Sequence, residues 1–116
     1  MRILLLDHEV FYIPEEFRSK VERPFHGRFY EVNGMLSKIV CLLGEPFDIV
    51  ILGNNMGAGV TIAQNIPEAL RSKTIVVWNY YPIPRDVKEY EKLGLSHFCG
   101  RQSPQVRGKI QAILSS

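Results

Sequence analysis

Asp7-His8-Glu9 sets two carboxylates and an imidazole in consecutive positions directly after the apolar run Ile3 to Leu6. Carboxylates of this kind hold divalent cations or move protons, and an imidazole changes charge near neutral pH. Consecutive residues leave an extended chain in different directions, so these three do not converge into a catalytic unit by themselves. Three further apolar runs also end in polar residues or glycine. Gly53, Asn54 and Asn55 come after the second, Asn79 closes the third, and Arg101 comes just after the fourth. No nucleophile accompanies the set, so it argues for recognition or charge balance and against an enzyme. His26 and His97 stand alone and read as structural or solvated.

The elements that must carry these residues are legible in the apolar patterning. Arg2–Asp7, Asp48–Gly53, Lys73–Asn79 and Ser96–Cys99 are short, continuous apolar runs. Continuous rather than alternating apolarity means that both faces are covered, as in a parallel sheet. A weaker fifth strand is expected at an edge, over Arg28–Val32. Between the strands the spacing predicts helices. Asn33–Leu43 carries an apolar face and is stopped by Gly44-Glu45-Pro46. Thr61–Leu70 is interrupted by Pro67. Pro84–Leu93 opens on proline and closes at Gly94. A C-terminal helix is capped by Ser103-Pro104 and carries Val106, Ile110, Ile113 and Leu114. Glu15–Val21 is a shorter first helix. Strands alternating with helices predict one α/β domain over residues 1–116, with a doubly wound sheet. In such sheets the loops beyond the carboxyl ends of the strands form the site. That places Asp7, His8, Glu9, Gly53, Asn54, Asn79 and Arg101 on one rim.

Composition bounds the function class. The 116 residues are 46% hydrophobic and 22% charged, ordinary for a globular protein. A formal charge of +2 is too small to imply a nucleic-acid or membrane partner by itself. No apolar run approaches a membrane span, and the N-terminus lacks the pattern of a signal peptide. Cys41 and Cys99 have neither metal-ligand spacing nor enough company for a disulfide framework, and point to a reducing, cytoplasmic setting.

In order and spacing, the chain resembles the receiver domain of two-component response regulators. Ile3-Leu4-Leu5-Leu6-Asp7-His8-Glu9 is similar to the family's opening strand and acidic pair. Leu43-Gly44-Glu45-Pro46-Phe47-Asp48-Ile49-Val50-Ile51-Leu52 resembles the approach to the phosphorylation site. Met56 and the turn Gly57-Ala58-Gly59 are similar to the family's loop beyond that site, and Tyr90 to Phe98 resembles the segment leading to the family lysine. The resemblance implies a flavodoxin-like, doubly wound sheet of five parallel strands in the order 2-1-3-4-5, flanked by helices. It implies a signalling module, and it implies what the rim should contain: an acceptor aspartate, acids that hold magnesium, a hydroxyl and a lysine that pairs with phosphate.

Carried over residue by residue, that pocket is degenerate. The acceptor position falls on Gly53, which has no side chain. Moving it to Asn54 or Asn55 still gives no carboxylate, and Asp48 lies at the opposite end of its strand. Asp7 is retained, but its acidic partner falls on His8, a poor ligand for a hard cation. The hydroxyl position falls on Asn79 and the lysine on Arg101, followed by Gln102. Arginine keeps the charge but presents a planar fork, and Arg101 is expected to turn toward Asp7. Phe98 takes the place of the family's switching aromatic.

These residues lead to a receiver-like module that accepts no phosphoryl group and works by protein contact, with no cofactor and no metal. The partner is expected to be another signalling protein or a second copy, docking on the face of the fourth helix, fifth strand and fifth helix. Tyr80, Tyr81, Tyr90 and Phe98 are the candidates on that face. The alternative is a small ligand, an anion or nucleotide, held at the strand ends where Gly53 to Gly59 leads into a helix. The glycines there match neither the dinucleotide nor the P-loop fingerprint. A weaker possibility is nucleic-acid binding through Arg18, Lys20, Arg23, His26 and Arg28 with Phe17, Phe25, Phe29 and Tyr30 interleaved. Glu15, Glu16, Glu22 and Glu31 dilute that patch.

Overall fold

The computed structural model describes residues 1–24, 36–54 and 58–116. Five strands form one parallel sheet: β1 (Ile3–Leu6), β2 (Val21–Glu22), β3 (Ile49–Gly53), β4 (Thr74–Trp78) and β5 (His97–Gly100), in the order β2-β1-β3-β4-β5. The register sets Leu6 beside Leu52 and Gly53 beside Val77, so the carboxyl ends of the central strands lie at one rim.

Alternate residues of each central strand supply two separate cores. Leu4, Leu6, Val50, Leu52, Val76 and Trp78 face one layer; Ile3, Leu5, Ile49, Ile51, Ile75 and Val77 face the other. This is why the strands read as unbroken apolar runs. The first layer is built from helices α1 (Leu36–Leu43), α2 (Ala58–Ala63), α3 (Glu68–Arg71) and α4 (Pro84–Lys92), through Ile39, Leu43, Ile62, Leu70 and Tyr90. The second is built from α5 (Ser103–Leu114), through Val106, Ile110 and Ile113, together with Tyr12, Ile13 and Phe17. The arrangement is the expected doubly wound one.

Two local expectations are corrected, and one falls outside the described residues. Among the described residues the edge strand is β2, where Val21 pairs with Ile3; the expected edge strand Arg28–Val32 lies outside them. A two-residue strand has no alternation to read. The segment expected to be a first helix, Glu15–Val21, is a 3-10 helix over Glu15–Lys20, entered from Pro14, and Val21 leaves it for the sheet. Ser103 does not cap α5. Its hydroxyl donates to the Tyr12 carbonyl at 2.9 Å and ties the loop after β1 to α5.

The expected helix Thr61–Leu70 begins earlier, at Ala58, while the boundaries set by proline and glycine match the sequence closely. Pro67 separates α2 from α3, as a proline inside a helical pattern should. Pro84 starts α4, and Gly94 lies just past its end with φ +89°, a left-handed conformation that glycine adopts without strain. Asn33 to Met35, the expected start of α1, lie outside the described residues. Among the described residues, no helix is long and apolar enough to cross a membrane.

Candidate functional site

Asp7 lies just after β1 and is 1% exposed; Arg101 lies just after β5 and is 3% exposed. They are 94 residues apart in sequence and meet over the end of β3. Arg101 Nε donates to Asp7 Oδ2 at 2.8 Å, and Nη2 donates to Oδ1 at 3.1 Å. This two-pronged geometry is available to arginine and not to lysine. The third guanidinium nitrogen, Nη1, donates to Asn79 Oδ1 at 2.6 Å, so one side chain joins the ends of β1, β4 and β5. Burial opposes the charge on Arg101, but the hydrogen bonds and negative charge of Asp7 outweigh it and raise its pKa further.

Tyr12 completes the cluster from the loop after β1. Its hydroxyl donates to Asp7 Oδ2 at 2.5 Å and is pushed well above its ordinary pKa, by burial first and the charge of Asp7 second. His8 and Glu9 lie at the outer edge. His8 Nδ1 is 3.3 Å from Asp7 Oδ1, and Glu9 Oε2 is 3.8 Å from Arg101 Nε. Gly53 sits directly beneath. A Cβ built there would fall 2.6 Å from Asp7 Oδ1 and 2.8 Å from Arg101 Nη2, closer than real contacts allow. The ion pair fills the space into which a side chain at 53 would project.

Asn54, the next residue, belongs to a second polar network that grips α4. Tyr90 donates from its hydroxyl to Asn54 Oδ1 at 2.6 Å; Asn54 Nδ2 and Trp78 Nε1 both donate to Asp86 Oδ2, at 3.1 and 3.2 Å. Burial, then the charge of Asp86, raises the Tyr90 pKa. Trp78, Tyr90 and Phe98 pack as a ring cluster with centroids 5.8 to 6.4 Å apart. Tyr90 is therefore corrected from a surface candidate to a core residue: it is 0% exposed, because its hydroxyl has a partner beneath α4. Phe98 is half-buried, whereas Tyr80 and Tyr81 stand 78% and 71% exposed.

The structure thus brings Asp7, His8, Glu9, Gly53, Asn79 and Arg101 to one place, and turns Asn54 toward α4. Sequence reasoning passed over Tyr12 and Asp86. Tyr12 sits in an apolar stretch without period, and Asp86 reads as an ordinary acid in the first turn of a helix. Asn55, Met56 and Gly57 of the glycine-containing loop lie outside the described residues, as do Phe25, His26, Arg28, Phe29, Tyr30 and Glu31 of the basic-aromatic patch. The helix expected to offer an anion site is the six-residue α2, which is too short to present one.

The residues do not suit a divalent metal. Magnesium wants near-octahedral oxygen ligation, yet both Asp7 oxygens already accept from Arg101 and the neighbouring position offers an imidazole. Among the described residues, no three histidine, cysteine or acidic side chains are grouped to hold an ion.

No family model matches the chain, and no curated protein matches it either. Among solved structures it is similar to the crystal structure of a point mutant of the receiver domain of the histidine kinase CKI1 from Arabidopsis thaliana. The TM-score is 0.63 at 17% identity, over 99% of this chain and 90% of that one. With five parallel strands in the order 2-1-3-4-5 and helices on both faces, the chain has the fold of a receiver domain.

Proposed function

We propose that this chain is a receiver-fold signalling module that takes no phosphoryl group and acts by contact with another protein. The observation that carries the reading is at the end of β3, where the acceptor should stand. Gly53 has no nucleophile, and the space above it is held by the Asp7–Arg101 pair. Phosphoryl transfer to a receiver needs a carboxylate that can attack. None is supplied here by Asn54, and the one buried carboxylate among the described residues, Asp7, is committed to a guanidinium. The solved neighbour, a receiver domain of a histidine kinase, supports the signalling role. A non-catalytic module in the cytoplasm fits two free cysteines and a rim without a nucleophile.

The contact face in this reading is α4, β5 and α5. Tyr80 and Tyr81 project from the loop that leads into α4. Next to them, beginning at Pro82, a groove of about 440 Å³ is lined by Phe98 and Cys99 of β5 and by Pro104, Gly108 and Ala112 of α5. Exposed aromatics beside an apolar groove are the composition of contact surfaces. The partner is a second signalling protein or another copy of this chain.

The test is incubation of the whole chain with acetyl phosphate and magnesium chloride. No acyl-phosphate label is expected; stoichiometric labelling on aspartate overturns the reading. A small ligand at the rim is the second reading, favoured by a cavity of about 270 Å³ lined by Asn54, Trp78, Asn79, Tyr80, Tyr81 and Ile83. A rise in thermal midpoint with nucleotide, flavin or phosphate would favour it, since a ligand of the folded form stabilises by mass action.

A further inference from the structure

We propose that the guanidinium of Arg101 is the resident cation of this rim, taking the place of a divalent metal ion, and that a glycine at position 53 is the condition for it. The inference rests on the receiver reading above and deepens it by naming what keeps the rim in one state.

Charge and geometry point the same way. Asp7 brings one negative charge into a buried place, and Arg101 matches it with one positive charge. All three guanidinium nitrogens are engaged, two by Asp7 and one by Asn79. Tyr12 satisfies the same Asp7 oxygen from the other side. A buried ion pair is tolerated only when its remaining polar positions are filled in this way. A magnesium ion would need oxygen ligands at about 2.0–2.1 Å, several of them water. Both Asp7 oxygens face the guanidinium instead, and His8 lies against one of them.

The role of Gly53 is set by distance. Any Cβ at 53 would overlap both members of the pair, at 2.6 Å from Asp7 Oδ1 and 2.8 Å from Arg101 Nη2. An acceptor side chain and an internal cation therefore exclude each other in this pocket, and the two departures from the receiver pattern are one structural change. A diffusible ion comes and goes with its concentration. A tethered guanidinium does not, so the ends of β1, β4 and β5 are joined whatever the ionic conditions. On this account the contact face is permanently presented rather than switched.

Two measurements on the whole chain decide it. In nitrogen-15 spectra of the parent protein, the Arg101 Nε–H resonance should be protected from exchange and unmoved by millimolar magnesium chloride at constant ionic strength, and the thermal midpoint should not shift. A saturable shift of that resonance together with a higher midpoint would show that an ion competes for Asp7 and would overturn the proposal. The second measurement is a double-mutant cycle of Gly53→Ala and Arg101→Lys. Gly53→Ala should lower the parent midpoint by more than about 10 °C, and by markedly less once Arg101→Lys has removed both its own overlap and the fork that holds Asp7 against residue 53. Additive effects would separate the glycine from the arginine and overturn the proposal. If a variant does not fold, the parent spectra decide alone. Magnesium binding without a phosphoryl label defeats this inference but leaves the proposed function standing; a phosphoryl label defeats the proposed function itself.

Discussion

The rim around Asp7 and the flank around Tyr80 divide the polar and apolar surface in opposite senses. At the rim, three polar side chains, Asp7, Tyr12 and Arg101, are buried and bonded to one another. On the flank, two tyrosines that could have been buried are left almost wholly in water. Burying a charge is unfavourable unless it is paired and hydrogen-bonded, and exposed aromatics contribute little to folding. The rim is therefore where stability is at stake, and the flank is the surface that the proposed function assigns to a partner. A switching receiver would need the reverse at its rim, an open pocket waiting for an ion and a phosphoryl group.

Substitutions should separate the two regions by size of effect. The largest is expected at Asp7→Ala, which removes the buried partner of the Arg101 charge; a loss of about 3–5 kcal/mol in urea denaturation is expected. A loss under about 1 kcal/mol would mean that the pair is solvated and the rim is not closed. Tyr12→Phe leaves the pair but removes the donor to Asp7 Oδ2, and should cost about 1–3 kcal/mol. Tyr90→Phe should cost about 1 kcal/mol, because Asn54 is half-buried and water can replace the lost hydroxyl.

Alkaline pH tests the buried groups without mutation. Burial raises the Cys99 thiol to about 11 and pushes Tyr12 upward, so the fold favours the protonated form of each. Their contribution is complete below the unfolded values, about 8.5 for cysteine and 10 for tyrosine, and is lost as pH rises through the folded ones. Stability should therefore fall from about pH 8.5 upward. Cys99→Ala should fall less steeply over the lower part of that range. In the folded protein, exposed Cys41 should alkylate with iodoacetamide well before buried Cys99. The smallest effect on stability is expected on the flank. Tyr80→Ala with Tyr81→Ala should stay within about 0.5 kcal/mol of the parent. The same pair should weaken self-association in sedimentation, or binding to a signalling partner. Unchanged association would move the contact surface elsewhere.

Much of the fold could be read before any coordinates. Ile3–Leu6, Ile49–Gly53 and Thr74–Trp78 lie where continuous apolar runs required strands, and Pro67, Pro84 and Gly94 end or begin helices as their backbone chemistry demands. The rim was legible as a set of strand ends. What Tyr12, Asp86 and Tyr90 do was not, because a hydroxyl in an apolar stretch, an acid in a first helical turn and an aromatic on a charged helix carry no local mark of their partners.

The sequence alone determined the two-sided sheet and the lack of a carboxylate at residue 53, since both depend on residue identity and short-range pattern. The sequence placed Arg101 beside Asp7; tertiary structure alone decided that it would grip both Asp7 oxygens and reach Asn79 with its third nitrogen, and that Tyr90 would turn inward to Asn54. It also decided that Val21 and Glu22 would pair with β1. Local pattern reports which face of an element is apolar. Which polar groups meet across that face depends on packing among elements distant in the chain.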